Sequence, residues 1–258
     1  MNESKQFFNE LNVYFDHIYI ITLNRATERH DHIQKELEGL QYELFFGKDK
    51  NDFSLEELKL QNIYNVDLAK KHHRYGKPMQ PGAVGCAWSH AQVYQDVMKN
   101  NYQKVLILED DIVINKNTAH LFAEILKVLP KNWELLYFGF AGAEKIPANV
   151  LLKKIFYHSI RFFKGIKFTH RTISNLYPRQ IAKNLYTSGY HDCTHAYAIT
   201  ISAAKKLLQL QTPISFLSDN LLAYAATNKL LNGYIIMPKI IDQLSIVDVN
   251  HDHSYVNE

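Results

Sequence analysis

The chain has 258 residues, an apolar fraction of 47% and a formal net charge of +3. This composition is typical of a globular protein, and we expect residues 1–258 to form a single domain. No run approaches the roughly 20 apolar residues of a membrane span, and residues 1–16 lack the apolar stretch of a signal peptide. The two cysteines, Cys86 and Cys193, match no zinc-binding spacing. These features exclude a disulfide scaffold and favour a reduced, cytoplasmic protein.

The charges are unevenly distributed along the chain. Between residues 145 and 191 there is no Asp or Glu, whereas nine Lys or Arg occur there. The rest of the chain has 20 basic and 26 acidic residues, a net charge of −6. We therefore expect a basic, insertion-like segment over about 145–190. Nucleic acid is not an expected partner, because most of the chain is acidic and no recognition motif is present.

Strand and helix patterns alternate along the sequence. The predicted strands are residues 17–23, 41–46, 104–108, 134–139, 195–201 and 233–237. The predicted helices are residues 27–39, 54–60, 84–100, 118–129, 202–210 and 218–230. Thr27, Ser202 and either Ser218 or Asp219 are candidate caps for three of these helices. The alternation predicts an α/β fold with a largely parallel central sheet flanked by helices, and ligands bind at the carboxyl ends of such strands.

Three adjacent carboxylates, Glu109, Asp110 and Asp111, directly follow the apolar strand at residues 104–108. They repel one another unless a cation neutralises them. Mg²⁺ and Mn²⁺ prefer oxygen ligands, and Mg²⁺ sites often combine carboxylates with substrate phosphates. The cluster therefore predicts a metal and diphosphate site. By itself it leaves open a solvated turn, a phosphatase, a nucleotidyltransferase or a receiver-like domain.

Five segments add a more specific pattern. In chain order they are IYIITLNRATER, PGAVGCAWSHAQVY, VLILEDDIVI, THAYAITISAAKKLL and ISFLSDNLLAY. Together they resemble glycosyltransferase family 25, the lipooligosaccharide galactosyltransferase family, which includes collagen galactosyltransferases. The resemblance covers residues 17–245, and its most specific part is G-C-x-x-S-H followed about twenty residues later by E-D-D.

The resemblance implies a GT-A-like fold, a UDP-sugar donor (usually UDP-galactose), Mn²⁺ or Mg²⁺, and inversion at the anomeric carbon. It also implies a lipid-linked oligosaccharide acceptor at the inner face of a membrane. The chain departs from the family after the second predicted strand. There the usual Ala-Val-Asp-Gly type of stretch is replaced by Phe46-Gly47-Lys48-Asp49-Lys50, so the identity of the sugar stays open.

Position in the family motifs implies roles for several residues. Asp111 is the expected metal ligand, while Asp110 and Glu109 are expected to contact the metal or the ribose. The residues expected to face the nucleotide are Thr22, Asn24, Arg25 and Arg29. The residues expected near the sugar or diphosphate are Gly82, Gly85, Ser89 and His90. His90 either contacts the donor or holds Ser89 in place.

An inverting transfer also needs a base that takes the proton of the acceptor hydroxyl. Asp219 matches the family's aspartate and is the expected base, with an N-cap role as the alternative. Asp192 and His191, in a predicted loop before a strand, are the next candidates. Gln243 is expected to line the diphosphate pocket.

The chain ends with two further candidate metal ligands. His253 and His251 are candidates to complete the metal site, but solvated tail residues are the favoured interpretation.

The basic segment contains residues 149–167, in which Leu, Ile and Phe alternate with Lys and Arg. This pattern predicts a basic amphipathic helix, typical of surfaces that bind anionic lipid. The acceptor's own anionic groups are a second candidate partner. A helix packed on the sheet with a solvated basic face is the structural alternative.

Two other function classes compete with the transferase. One is a catalytically silent relative that binds glycans or assists assembly, but the intact Glu109-Asp110-Asp111 cluster argues against it. The other is a metal-dependent nucleotide hydrolase or nucleotidyltransferase. A phosphate-cradling G-x-x-x-x-G-K-[ST] loop would support that class, and the sequence contains none.

Overall fold

Helices and strands alternate along the described residues, 3–144 and 146–247, of the computed structural model. The strands are β1 (His17–Thr22), β2 (Glu43–Phe46), β3 (Lys104–Glu109), β4 (Ile112–Ile114), β5 (Leu135–Ala141), β6 (Arg179–Ala182), β7 (Leu185–Thr187), β8 (Asp192–Thr200), β9 (Gly233–Ile236) and β10 (Ile241–Gln243). The helices are α1 (Glu3–Tyr14), α2 (Thr27–Glu36), α3 (Leu55–Leu60), α4 (Val66–His72), α5 (Pro81–Lys99), α6 (Leu121–Val128), α7 (Val150–Phe162), α8 (His170–Ser174), α9 (Ile201–Leu210), α10 (Ser218–Thr227) and α11 (Leu244–Val247).

One eight-stranded sheet, in the order β2-β1-β3-β8-β5-β9-β7-β6, organises the described part of the chain. β1 is parallel to β2 and β3, and β5 is parallel to β9. β8 and β7 are antiparallel to their neighbours, so the other six strands share one direction. The predicted α/β fold with a largely parallel central sheet flanked by helices is confirmed. β4 and β10 form a separate antiparallel pair.

Both faces of the sheet are covered, which explains why residues 105–108 of the central strand β3 are all apolar and buried. Successive side chains of a strand point to opposite faces. In β3, Leu106 therefore packs in the same core cluster as Phe7 of α1. Ile107 packs on the other face, in the cluster that contains Val93 of α5.

Three predicted helix caps are wrong. Ala26 occupies the cap position of α2 and makes no side-chain cap bond, so Thr27 lies inside the helix. Thr200 caps α9, while Ser202 donates a hydrogen bond to Glu134. The cap position of α10 is Leu217, and no side chain caps that helix, which removes the N-cap role considered for Asp219.

Helix α1 was not predicted, although it buries two Phe and one Leu in the core.

The basic segment forms α7, α8, the edge strand β6 and its neighbour β7. No residue of α7 is buried. The helix contacts the rest of the chain through the half-buried Tyr157, which packs on Leu176 and Tyr190, and through Lys154, whose Nζ donates to Ser174 O at 2.6 Å. The helix packs mainly on α8 and not on the sheet, so the alternative is wrong in its packing partner, whereas the solvated face that it included is present. Among the described helices, none has the length and apolar character needed to cross a membrane.

Candidate active site

The carboxyl ends of β1 and β3 lie side by side, because these parallel strands pair with Ile21 opposite Glu109. A cavity of about 730 Å³ opens at this edge, where ligands bind in α/β sheets. Its polar lining consists of Thr22, Arg29, Lys48, Asp49, Lys50, Ser89, His90, Glu109, Asp110, Asp111 and Gln243. The structure thus brings most of the predicted donor-site residues to one place.

Asp110 lies at the back of this cavity and is almost fully buried. Its Oδ2 accepts a hydrogen bond from Thr22 Oγ1 at 2.6 Å, and its Oδ1 lies 2.5 Å from Arg29 Nη1. The same Arg29 atom is 3.7 Å from Asp111 Oδ2. Both Asp110 oxygens therefore have protein partners, and Asp110 joins the end of β1 to helix α2 while it positions Arg29.

Asp111 also lines the cavity, and its side chain is 16% exposed, compared with 24% for Glu109. Burial and the charge of Glu109 raise its pKa to about 7, against the opposing effect of Arg29. Gln243 Nε2 donates to its Oδ1 at 3.4 Å, and Leu244 N donates to its backbone oxygen at 2.7 Å. The excess of negative charge at a cavity-facing oxygen ligand fits a hard divalent cation such as Mn²⁺ or Mg²⁺.

Glu109 forms the side wall of the cavity. Its Oε1 accepts a hydrogen bond from Thr194 Oγ1 at 2.6 Å and lies 3.5 Å from His90 Nε2. Burial raises the pKa of Glu109, but His90 and Thr194 more than offset this effect and hold it below its usual value. On its other side, His90 Nδ1 lies 2.7 Å from the hydroxyl of Tyr197. Glu109 is consequently an ionised carboxylate within a buried polar network.

Ser89 and two glycines fix the loop that follows β2. Ser89 Oγ donates to Gly85 O at 2.7 Å and accepts from Lys48 N at 2.8 Å. A Cβ on Gly47 would lie 2.5 Å from Ser89 Oγ, and one on Gly85 would lie 2.5 Å from Lys48 O. Gly85 therefore makes room for the protein's own backbone, whereas Gly82 lines the cavity.

The predicted nucleotide-binding residues at the end of β1 and just after it differ in whether they line the cavity. Thr22 and Arg29 line the cavity. Arg25 Nε instead donates to Asp49 Oδ2 at 2.5 Å, which joins the loops after β1 and β2. Asn24 is exposed in a turn and is not part of the cavity lining. Contacts of these residues with a nucleotide stay a prediction.

A second cavity of about 1020 Å³ adjoins the first. Its lining consists of Gln80, Ala83, Cys86, Glu109, Cys193, Thr194, Leu217, Ser218, Asp219 and Gln243. Cys86, Glu109 and Gln243 line both cavities. These three residues therefore form the wall at which the two cavities meet.

The two candidate bases Asp219 and Asp192 have different surroundings in the structure. Asp219 lines the second cavity, and burial together with the charge of Asp192 raises its pKa. Its Oδ1 accepts a hydrogen bond from Asn220 N at 2.6 Å. Asp192 forms an ion pair with Arg74 and is not part of either cavity's lining. His251 and His253 lie outside the described residues.

Four further residues of the site, Lys48, Lys50, Cys86 and Thr194, had no predicted role. Lys48 and Lys50 were noted only as a departure from the family pattern. Thr194 was part of a matched segment but had no assigned role. Cys86 precedes His90 by four residues, a spacing that places both on one face of a helix, and this signal was visible in the sequence.

Comparison with known proteins gives the family. The family model described as "Glycosyltransferase family 25 (LPS biosynthesis protein)" matches residues 15–222. A glycosyltransferase 25 family member of Anopheles gambiae is 29% identical over 206 residues, which are 77% of this chain and 29% of that protein. Procollagen galactosyltransferase 2 of Mus musculus is 23% identical over 199 residues, which are 75% of this chain and 27% of that protein.

A Homo sapiens protein named inactive glycosyltransferase 25 family member 3 is 22% identical, over 76% of this chain and 29% of that protein. The chain thus matches less than a third of the length of these curated relatives. The family match, by contrast, extends over most of the chain and includes the carboxylate cluster. The α/β sheet agrees with the GT-A-like fold that the resemblance implied. This chain belongs to glycosyltransferase family 25.

Proposed function

We propose that this protein is a metal-assisted, inverting glycosyltransferase that moves a sugar from a UDP-sugar to a hydroxyl of a glycan acceptor. Family membership supports glycosyl transfer in general. The observation that carries the finer proposal is the pair of cavities that meet at Glu109. One contains the metal-compatible Asp111, and the other contains the candidate base Asp219. Galactose is the proposed sugar, because the name of one relative specifies galactosyl transfer.

The donor would occupy the cavity at the ends of β1 and β3. Asp111 would hold Mn²⁺ or Mg²⁺, which neutralises charge on a departing diphosphate when bound. Lys48 and Lys50 line the same cavity and add positive charge. Arg29 is oriented by Asp110 and offers a guanidinium suited to phosphate oxygens. This arrangement supports a site for a nucleoside diphosphate bound to a sugar.

The acceptor would occupy the second cavity. Inversion is a single displacement, in which the acceptor oxygen bonds to the anomeric carbon while the bond to UDP breaks on the opposite side. Asp219 would take the hydroxyl proton during this step. A base has to be positioned opposite the leaving group, and Asp219 lies across the Glu109 wall from Asp111.

The acceptor is proposed to be a lipid-linked oligosaccharide at the inner face of a membrane, with the protein in the cytoplasm. Helix α7 and the residue after it carry exposed apolar side chains, among them Leu151 (71% exposed), Phe162 (81%) and Phe163 (79%). Exposed basic residues accompany them, including Lys153. Apolar side chains that enter the headgroup boundary, together with basic ones that attract anionic lipid, support docking on a membrane surface.

Liposome sedimentation tests the docking proposal. We expect the protein to sediment with vesicles that contain phosphatidylglycerol, more weakly at high salt, and Phe162→Glu to reduce the bound fraction. Val13→Glu is the matched control, because Val13 is an exposed apolar residue (87%) of helix α1. Equal, salt-insensitive binding to neutral and anionic vesicles would refute docking.

UDP release tests the reaction. A panel of UDP-sugars is incubated with Mn²⁺, with an EDTA control. We expect slow hydrolysis of one sugar, lost in Asp111→Asn and retained in Glu56→Gln, which alters an exposed surface ion pair. No release and no donor-induced thermal shift with any sugar would favour the silent relative, an alternative that the name of the human relative keeps relevant.

A further inference from the structure

Three chemically different side chains converge on the wall between the two cavities. Cys86 and His90 lie one turn apart on α5, and Glu109 ends the nearby strand β3. One ligand atom from each, the thiol sulfur, an imidazole nitrogen and a carboxylate oxygen, lie within 4.8 Å of one another. Helix and strand hold these atoms in place, so the trio does not depend on a flexible loop.

His90 supplies the independent observation that points to a ligand. Its side chain is 2% exposed, and Nε2 has no hydrogen-bond partner among the described residues. Nε2 faces Glu109 Oε1 at 3.5 Å, while Nδ1 lies 2.7 Å from the Tyr197 hydroxyl. A buried imidazole nitrogen and a carboxylate that face each other at this distance need a proton or a cation between them. A metal ion coordinated by both atoms would replace the proton on Nε2.

We propose that Cys86, His90 and Glu109 bind a thiophilic divalent cation of the zinc type, at a site separate from the one at Asp111. Zn²⁺ accepts sulfur, nitrogen and oxygen ligands, and three protein ligands leave one position open. Mn²⁺ and Mg²⁺ prefer sites built from oxygen ligands. Binding releases the thiol proton of Cys86 to solvent, since the thiolate is the ligand.

Neighbouring groups support the three ligands. Tyr197 orients the His90 ring through Nδ1. Thr194 Oγ1 donates to Glu109 at 2.6 Å, and Ser218 Oγ lies 3.2 Å from Cys86 Sγ. Such outer partners fix the orientation of metal ligands and increase affinity.

The open coordination position would face the cavities, because Cys86 and Glu109 line both of them. If the proposed function is correct, zinc at this wall would stand between donor and acceptor and inhibit transfer. Binding itself is independent of that function, so it is measured without substrates.

Cobalt serves as the spectroscopic probe for the zinc site. The full chain is reduced, freed of metals and chelator, and titrated with Co²⁺ in excess Mg²⁺. We expect one equivalent to produce the intense near-ultraviolet charge-transfer band of a Co²⁺–thiolate bond, and one equivalent of Zn²⁺ to remove it. Cys86→Ser should abolish the band. Cys193→Ser, which alters the chain's other thiol, should keep it.

Further variants test the histidine and its support. His90→Ala should reduce Co²⁺ affinity strongly, whereas His120→Ala, an exposed control, and the double variant His251→Ala/His253→Ala should leave it unchanged. Tyr197→Phe should weaken binding by about 10–100-fold while the protein stays folded by thermal melting. A band that survives Cys86→Ser, or no band at one equivalent in the unaltered protein, would overturn the proposal.

Discussion

Arg29 Nη1 lies 2.5 Å from Asp110 Oδ1 and 3.7 Å from Asp111 Oδ2, so one guanidinium is the counter-charge for two adjacent carboxylates. Removing one member of a buried ion pair leaves an uncompensated charge, which typically costs about 3–5 kcal/mol. We expect Arg29→Gln to lower the free energy of unfolding by roughly 3 kcal/mol, measured by urea denaturation without metal.

Arg25→Gln is the matched control for this change. Its partner Asp49 is also a carboxylate, but the Arg25 side chain is 36% exposed. Such pairs are worth about 0–1 kcal/mol, so the two variants should differ clearly. Equal losses in both would show that Asp110 is not stabilised by Arg29.

The raised pKa of Asp111 predicts how stability depends on pH. The folded protein holds a proton on Asp111 up to about pH 7, whereas the ordinary value is 3.8. The folded state therefore binds more protons in this window, and the stability contributed by Asp111 is lost as pH rises through about 7. Chemical denaturation without metal should show that, between pH 3.8 and about 7, the free energy of unfolding falls more steeply with rising pH in the unaltered protein than in Asp111→Asn.

Metal binding should follow the same ionisation. Because the ligand is the carboxylate, Mn²⁺ affinity should rise with pH and level off above about 7. Titration of Mn²⁺ by electron paramagnetic resonance measures this dependence. An affinity that does not change with pH, or that persists in Asp111→Asn, would contradict Asp111 as the metal ligand.

Asp219→Asn tests the base. The amide keeps the shape of the side chain but does not accept the acceptor's proton. We expect donor binding by calorimetry to be preserved and transfer to fall by about 100-fold or more. Asp192→Asn is the comparison. Asp192 pairs with Arg74 outside both cavity linings and acts on Asp219 only by raising its pKa, so this variant should retain more activity. Near-normal turnover in Asp219→Asn would eliminate it as the base.

Gly47→Ala tests the close packing between the β2 loop and α5. The new Cβ would lie 2.5 Å from Ser89 Oγ and 3.0 Å from Ser89 Cβ, so the loop has to move. Overpacking of this kind typically costs about 1–3 kcal/mol. The loop that has to move contains Lys48 and Lys50, which line the donor cavity. We expect lower thermal stability and weaker UDP binding. The double variant Gly47→Ala/Ser89→Gly should recover part of the binding, and no recovery would refute the steric explanation.

Much of the sheet was predictable from sequence, because local residue patterns carry the signal. The wholly apolar residues 104–108 predicted a central strand, and Glu109-Asp110-Asp111 directly after it predicted a polar site at the sheet edge. The different contacts of Glu109, Asp110 and Asp111 were not predictable from the sequence. It depends on Arg29 and Thr22, which lie more than 80 residues away in sequence and contact Asp110 only after folding.

Helix α1, two short strands and the second cavity were also not predictable from local sequence patterns. Helix α1 has only three buried apolar residues, Phe7, Phe8 and Leu11, among many polar ones, so its apolar pattern is short. Strands β4 and β10 have only three residues each, too few for a periodic signal. The second cavity combines residues from α5, β3, β8 and α10, and no sequence pattern reports such a meeting of distant segments.

The contact between Asp111 and the end of β10 has a consequence for how the protein is made. Gln243 and Leu244 bond to Asp111 across 132 and 133 positions of the chain. During synthesis the carboxylate cluster leaves the ribosome long before the segment that completes its pocket. A nascent chain therefore acquires its metal-compatible geometry only after residues 243 and 244 have been synthesised, which delays any cation capture at Asp111 until the described strands of the sheet are available.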